Sequence, residues 1–292
     1  MIRYLSVCSG IEAATVAWCP LGWQAVAFAE VDAYPSAVLA HHYPHVPNYG
    51  DMTRFREWPD AALDLLVGGT PCQSFSVAGL RKGLDDPRGS LMLVYLALAR
   101  RARPRWLVWE NVPGVLSADD GRAFGSLLGG LAELGYGFAY RVLDAVNFGC
   151  AFPRPRVFVV ACVGDWRRAA AVLFQRECFK RNRAQVDQGL QVGTAPVLTR
   201  LGAMAYDDRT PCILEPYGPR RATPLEWERG LGFPDGYTAI AKQAMQEMRI
   251  VADGPRYKAL GNSMAVPVMR WIGERIQRVD SLDSQDPAQE RG

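Results

Sequence analysis

The chain reads Leu63-Asp64-Leu65-Leu66-Val67-Gly68-Gly69-Thr70-Pro71-Cys72-Gln73-Ser74-Phe75-Ser76 through the stretch that decides its fold. Leu63 to Val67 is a short, largely apolar run of the kind that forms a buried strand. Gly68-Gly69-Thr70-Pro71 is turn chemistry. A cysteine just past a strand's carboxyl end stands where open α/β sheets place their ligands. Pro71 fixes its own φ and stiffens the turn. A lone cysteine is most often a small buried hydrophobe, but this context makes Cys72 a candidate nucleophile.

Working outward, similar units repeat. Tyr4 to Val7 predicts a strand, ending in Cys8-Ser9-Gly10, and Ile11 to Trp18 has a helical pattern. Ala25 to Ala29 predicts a second strand and Pro35 to His42 a helix. Leu91 to Arg101 is a strong helix, and Trp106 to Trp109 a fourth strand ending at Glu110-Asn111. Phe124 to Leu134 predicts a helix stopped by Gly135 and Gly137, followed by strands at Tyr140 to Asp144 and Val157 to Val163. Alternating strands and helices imply an α/β, doubly wound, mostly parallel sheet. After Gly164 the character changes. Residues 165–220 are basic and polar with weak periodicity. Further on, Trp227 to Leu231 and Ala239 to Met248 are expected helices, Lys258 to Asn262 a turn, and Val266 to Arg278 an amphipathic helix.

Bulk properties set bounds. The 292 residues are 49% hydrophobic and 22% charged, with net charge +3, ordinary values for a globular protein. Arginines cluster at Arg100, Arg101, Arg103 and Arg105, and basic residues again at Arg167, Arg168, Arg176, Lys180, Arg181 and Arg183. Such clusters are solvated faces or phosphate-contacting strips. The seven cysteines (8, 19, 72, 150, 162, 178 and 212) form no CxxC pair, which argues against a disulfide framework and a zinc site. No apolar run approaches the roughly 18 residues of a membrane helix, and a reducing cytoplasm is the expected setting.

Cys8-Ser9-Gly10-Ile11-Glu12 resembles a nucleotide turn only loosely, since it is not GxGxxG. Glu30 lies 20 residues past Gly10 at the end of the second strand, where a carboxylate takes ribose hydroxyls. Asp51 follows the next loop, and no phosphate-binding GxxxxGK occurs. A nucleoside without a polyphosphate points to S-adenosylmethionine. Glu110 is expected in the same crevice as Cys72. A carboxylate beside a thiol raises the thiol's pKa, so Glu110 suits substrate contact better than thiol activation. Arg154 and Arg156, entering the last strand, are candidates to hold an electronegative oxygen.

Together these residues resemble the DNA (cytosine-5)-methyltransferase family, with a phage or prophage flavour. The match runs in order: Cys8-Ser9-Gly10, Phe28-Ala29-Glu30, Gly50-Asp51-Met52, Thr70 to Ser76, Arg88-Gly89-Ser90-Leu91, Glu110-Asn111-Val112, Arg221 to Pro234, and Tyr257 to Pro267. The resemblance implies a Rossmann-like, S-adenosylmethionine-dependent methyltransferase sheet with a small target-recognition domain. It implies Cys72 as the nucleophile adding to cytosine C6 of a flipped-out base, Glu110 as the acid at N3, and Arg154 and Arg156 at O2. It assigns the cofactor to Cys8, Gly10, Ile11, Glu30, Val31, Asp51, Met52, Pro71, Leu91, Asn262 and Ser263, with no metal. Arg81 and Lys82 suit phosphate contact. The resemblance further implies double-stranded DNA as the partner, with a monomer expected outside the membrane and a cognate restriction endonuclease not required.

The expected division is a catalytic domain over 1–164, completed by about 256–279, a recognition region over 165–255, and a disordered tail over 280–292. The chain also departs from the family pattern. Phe152-Pro153-Arg154-Pro155-Arg156 lacks the glutamine of Gln-x-Arg-x-Arg, Ala13 stands where glycine is common, and the recognition region is short. Two alternatives follow: a tRNA cytosine-5 methyltransferase, or a degenerate relative that binds DNA or cofactor without turnover.

Overall fold

The computed structural model describes residues 1–71, 91–174, 198–199, 212–215, 218–244, 247–250 and 252–283. Cys72 to Ser90, with Arg81, Lys82 and the Arg88-Gly89-Ser90 motif, lie outside the described residues.

Six strands form one sheet in the order β2-β1-β3-β4-β6-β5. They are β1 (Arg3–Val7), β2 (Gln24–Ala29), β3 (Leu65–Gly68), β4 (Trp106–Asn111), β5 (Tyr136–Asp144) and β6 (Pro155–Val163). β1 pairs in parallel with β2 and β3, and β3 in parallel with β4. β6 is antiparallel to both β4 and β5. The sheet is therefore mostly parallel, as expected, with β6 alone reversed. The reason is connection length: β5 and β6 are joined by residues 145–154, which contain no crossover helix, so the chain turns straight back.

Every residue of β3 and β4 is buried. The apolar side chains alternate between two cores. Leu65, Val67, Trp106 and Val108 enter one core, and Leu66, Leu107 and Trp109 the other. The first core lies under α1 (Ala13–Trp18), α5 (Trp166–Leu173) and α8 (Val266–Asp283), and the second under α3 (Leu91–Ala102) and α4 (Arg122–Glu133). A sheet covered on both faces explains the continuous apolar runs that made these strands readable.

The carboxyl-terminal third differs from expectation in several places. Residues 239–248 are not a helix: β10 (Ala241–Ala244) pairs antiparallel with β11 (Glu247–Ile250). Lys258 to Asn262 is not a turn but the end of helix α7 (Asp253–Asn262). Pro255 sits in that helix's first turn, where the missing N–H has no intrahelical partner to lose. Asp280 does not belong to a frayed tail. It accepts from Trp106 Nε1 (3.0 Å) and pairs with Arg168 (2.8 Å) and Arg105 (3.2 Å), so α8 continues to Asp283.

Parts of the 165–255 stretch pack into the main body. Ala169, Val172 and Leu173 of α5, and Trp227 and Leu231 of α6 (Pro224–Leu231), pack in the core of the sheet with Phe233 and Tyr237. Outside that body, the structure describes only the three-stranded β7 (Leu198–Thr199), β8 (Cys212–Glu215), β9 (Gly218–Arg221) sheet and the β10–β11 hairpin. Of the arginine clusters, Arg101 is engaged by the Trp58 carbonyl (2.8 Å) and Asp60 (2.6 Å), and Arg105 and Arg168 by Asp280, so these members tie elements together.

α2 spans Ala33–His42. One close approach sets where α5 can cross β5. A Cβ on Gly137 would lie 2.1 Å from the backbone nitrogen of Trp166 and 2.5 Å from the carbonyl carbon of Asp165. Backbone cannot yield as a side chain can. Gly137→Ala is therefore expected to cost at least about 2 kcal/mol, an overpacking penalty, read as a lower urea midpoint at unchanged slope.

Candidate active site

The carboxyl ends of β1, β2, β3 and β4 open into one cleft of about 780 Å³. This is the position an open α/β sheet dictates.

The first wall follows β1. The turn there holds Cys8 (φ 48°), Gly10 (φ 56°) and Glu12 (φ 64°), three left-handed residues in five. A Cβ on Gly10 would meet nothing within 4 Å, so the backbone faces open cleft. Gly10 N donates to Glu30 Oε2 (2.8 Å), and Asp32 N donates to Glu30 Oε1 (2.7 Å). Glu30 is thus oriented by two backbone donors, with lone pairs left for a ligand's hydroxyls. Asn48 clamps this corner: its Oδ1 accepts from Glu30 N and Gly50 N, both at 3.0 Å, and its Nδ2 donates to the Glu30 carbonyl (3.1 Å). Asp51 lines the cleft and caps the following turn by accepting from Thr53 N (2.9 Å). Met52 is buried, with Cys8 Sγ 3.5 Å from its sulfur. Burial first, then Glu30 and Asp51, push the Cys8 thiol up to about 12, so Cys8 is neutral and unsuited to attack.

The second wall comes from β3 and β4. Glu110 is buried and pairs with Arg156, Oε1 to Nε at 3.1 Å. Burial raises the Glu110 pKa, and Arg156 and then Arg154 pull it back. A Cβ on Gly69, just past β3, would lie 2.8 Å from Glu110 Oε2, so a side chain there would push the carboxylate out of its present position. Two polar atoms of Thr70 are fixed: its hydroxyl accepts from Trp109 Nε1 (3.0 Å) and its carbonyl from Asn111 Nδ2 (2.8 Å). Pro71 then lines the cleft, and Cys72 follows it beyond the described residues.

The cleft thus gathers Cys8, Gly10, Glu30, Val31, Asp51, Met52, Pro71, Leu91, Glu110, Arg154, Arg156 and Asn262. Two expected cofactor residues are not on its lining. Ile11 is wholly buried in the core. Ser263 is buried beside a smaller adjoining cavity of about 40 Å³, its hydroxyl donating to the Met264 carbonyl (3.0 Å). Arg154 is also more committed than expected. Its Nη2 donates to the carbonyls of Gly261 (2.7 Å) and Ser263 (2.5 Å), drawing the last motif against the site. Asn48, Trp109 and the buried Glu12 escaped the sequence reading. Glu12 caps α1 by accepting from Thr15 N (3.0 Å) and also accepts from the Ser6 hydroxyl.

The donor set fits an adenosine-bearing sulfonium. Glu30 offers acceptors to ribose, Asp51 adds a second carboxylate, Val31, Met52 and Leu91 are apolar wall, and the Gly10 cradle stands open. Among the described residues no group of three or more His, Cys, Asp or Glu is placed to hold a metal ion, and no helix is long and apolar enough to cross a membrane.

The chain is 32% identical to a "DNA N-6-adenine-methyltransferase" of Escherichia phage P1, over 94% of this chain and 61% of that protein. The chain therefore spans less than two thirds of that relative's length. It is 30% identical to the type II methyltransferase M2.BsuMI of Bacillus subtilis strain 168, over 95% of this chain and 76% of that one. In fold it is similar to the Schizosaccharomyces pombe Dnmt2 methyltransferase, with TM-score 0.66, 16% identity, and 96% and 99% of the two chains covered. A model of the C-5 cytosine-specific DNA methylases matches residues 2–193 and 175–278, and the chain belongs to that family.

Proposed function

We propose that the chain methylates C5 of cytosine in double-stranded DNA, through a covalent bond from Cys72 to C6 of a flipped-out base. One observation supports this reading: a buried acid, Glu110, held by Arg156 and raised in pKa, in a cleft lined also by Pro71, the residue that precedes Cys72 in sequence. When bound, S-adenosylmethionine supplies the methyl group, held by Glu30, Asp51, the Gly10 backbone and the wall of Val31 and Met52.

The chain's own residues account for the rest. Cytosine C5 is a poor nucleophile inside a stacked duplex, so the base must leave the stack. The Cys72 thiolate adds to C6, which makes C5 enamine-like. Glu110 gives its proton to N3 as negative charge develops there. Arg156 holds Glu110 in place. Arg154 ties the loop at Gly261 and Ser263 beneath it. Once C5 carries the methyl group, its proton leaves to water, the Cys72 thiolate is expelled, and N3 returns its proton to Glu110, which restores the ring and the acid.

A second reading comes from the name of the phage P1 relative, which specifies adenine N6. That amine carries its own lone pair and needs no thiol addition. Mass analysis of nucleosides from DNA incubated with the chain and S-adenosylmethionine separates the two. 5-Methylcytosine is the expected product. N6-methyladenine alone, or 5-methylcytosine in tRNA alone, overturns the proposal.

A further inference from the structure

The cofactor-side turn is held in an unfavourable backbone shape. Cys8 and Glu12 are left-handed without being glycine, a conformation that persists only where the surroundings enforce it. Two of its restraints come from the first 30 residues. Gly10 N is bound to Glu30, and the Glu12 carboxylate accepts from Ser6 and Thr15. The third arrives from 226 residues away: the Tyr237 hydroxyl donates to the Ile11 carbonyl at 2.8 Å.

Tyr237 is built to hold that position. It is buried, and its ring stacks on His42 at 4.0 Å with an interplanar angle of 1°. Its carbonyl lies 2.8 Å from His42 Nε2, and its hydroxyl 3.1 Å from that of Tyr43. The next residue, Thr238, is wholly buried and donates its N–H to Glu228 (2.8 Å). Glu228 also accepts from Gly236 N (2.7 Å) and pairs with Arg256 (3.3 Å). The Thr238 carbonyl accepts from Tyr34 (2.5 Å), which lines the cleft. The segment carrying Tyr237 is thus fixed on both sides and runs directly into the β10–β11 hairpin.

We infer that Tyr237 is a positioning residue for the cofactor: it fixes the Ile11 carbonyl, and through it the direction of the Gly10 N–H and the Cys8–Gly10 wall of the cleft. This gives Ile11, which does not line the cleft, an indirect part in binding. It also makes the segment next to the hairpin a structural member of the cofactor site. The inference rests on the cofactor reading proposed above.

The test is calorimetric titration of S-adenosylhomocysteine into the full chain. Tyr237→Phe keeps the stacked ring and removes the donor. Its dissociation constant is expected to rise about fivefold to tenfold, the size of one net hydrogen bond. Tyr43→Phe removes only the neighbouring hydroxyl and is expected to stay within about twofold of wild type. Amide hydrogen exchange across residues 8–15 is expected to quicken in Tyr237→Phe while exchange in α3 is unchanged. Equal affinity in Tyr237→Phe and wild type overturns the inference, and so does an equal loss in Tyr43→Phe. If Tyr237→Phe is too unstable to titrate, exchange decides, and quickening spread evenly over the chain overturns it. Wild type that fails to bind S-adenosylhomocysteine overturns the cofactor reading itself. Wild type that binds normally beside an unaffected Tyr237→Phe overturns only the role of Tyr237.

Discussion

Cys72→Ala is expected to lower cytosine methylation at least about a thousandfold, a loss of about 4 kcal/mol in the transition state, while leaving S-adenosylhomocysteine binding intact. The expectation rests on the substrate. C5 of cytosine cannot take a methyl group until C6 carries a nucleophile, and alanine offers none. A carboxylate close to a thiol disfavours the thiolate, so the reactivity of Cys72 is not supplied by Glu110. Attack depends on charge being stabilised on the base as the thiolate adds. A duplex containing 5-fluorocytosine tests this directly, because fluorine blocks loss of the C5 substituent and leaves the enzyme bonded to DNA. Wild type is expected to give a band that survives denaturing electrophoresis, and Cys72→Ala none. Methylated cytosine formed at wild-type rate by Cys72→Ala would rule out the covalent route.

The parts of this molecule that could be read from sequence are those where burial leaves a continuous pattern. Leu65-Leu66-Val67 and Trp106-Leu107-Val108-Trp109 are buried on both faces, so they show as unbroken apolar runs. Glu30 and Asp51 could be placed because they follow a strand end or its loop, and Glu110 because it is the penultimate residue of the apolar strand β4. Ile11 and Ser263 show the limit of that logic. Proximity in a motif does not fix which way a side chain points, and here both turn away from the cleft. β10 and β11, Ala-Lys-Gln-Ala and Glu-Met-Arg-Ile, are four residues each, and their Ala, Lys, Gln, Glu and Met are good helix formers, so the stretch reads locally as a helix. The end of α7, Lys258 to Asn262, closes on Gly261-Asn262, which locally reads as a turn. Asn48 and Tyr237 act through contacts 18 and 226 residues apart, respectively, for which no local pattern exists.

Glu110→Gln is expected to lower kcat by about a hundredfold to a thousandfold, the range for losing a general acid that also stabilises developing charge. Glutamine keeps the shape and a carbonyl oxygen for Arg156 but has no acidic proton for N3. The pH dependence gives the sharper check. Burial raises the Glu110 pKa, against the opposing pull of Arg156 and then Arg154. A raised acid keeps its proton at pH values where ordinary carboxylates have lost theirs. Activity that needs this proton is present below the folded pKa and falls as pH rises through it. Stability follows the same sign. The folded state binds the proton more tightly than the unfolded one, so this contribution is full below the unfolded pKa and lost as pH rises through the folded pKa. Wild type is therefore expected to show an alkaline limb in kcat and a matching fall in unfolding free energy. Glu110→Gln should show neither, its lower kcat staying flat over that range. Wild-type kcat in Glu110→Gln, or an alkaline limb of equal midpoint in both proteins, would remove Glu110 from the role of acid.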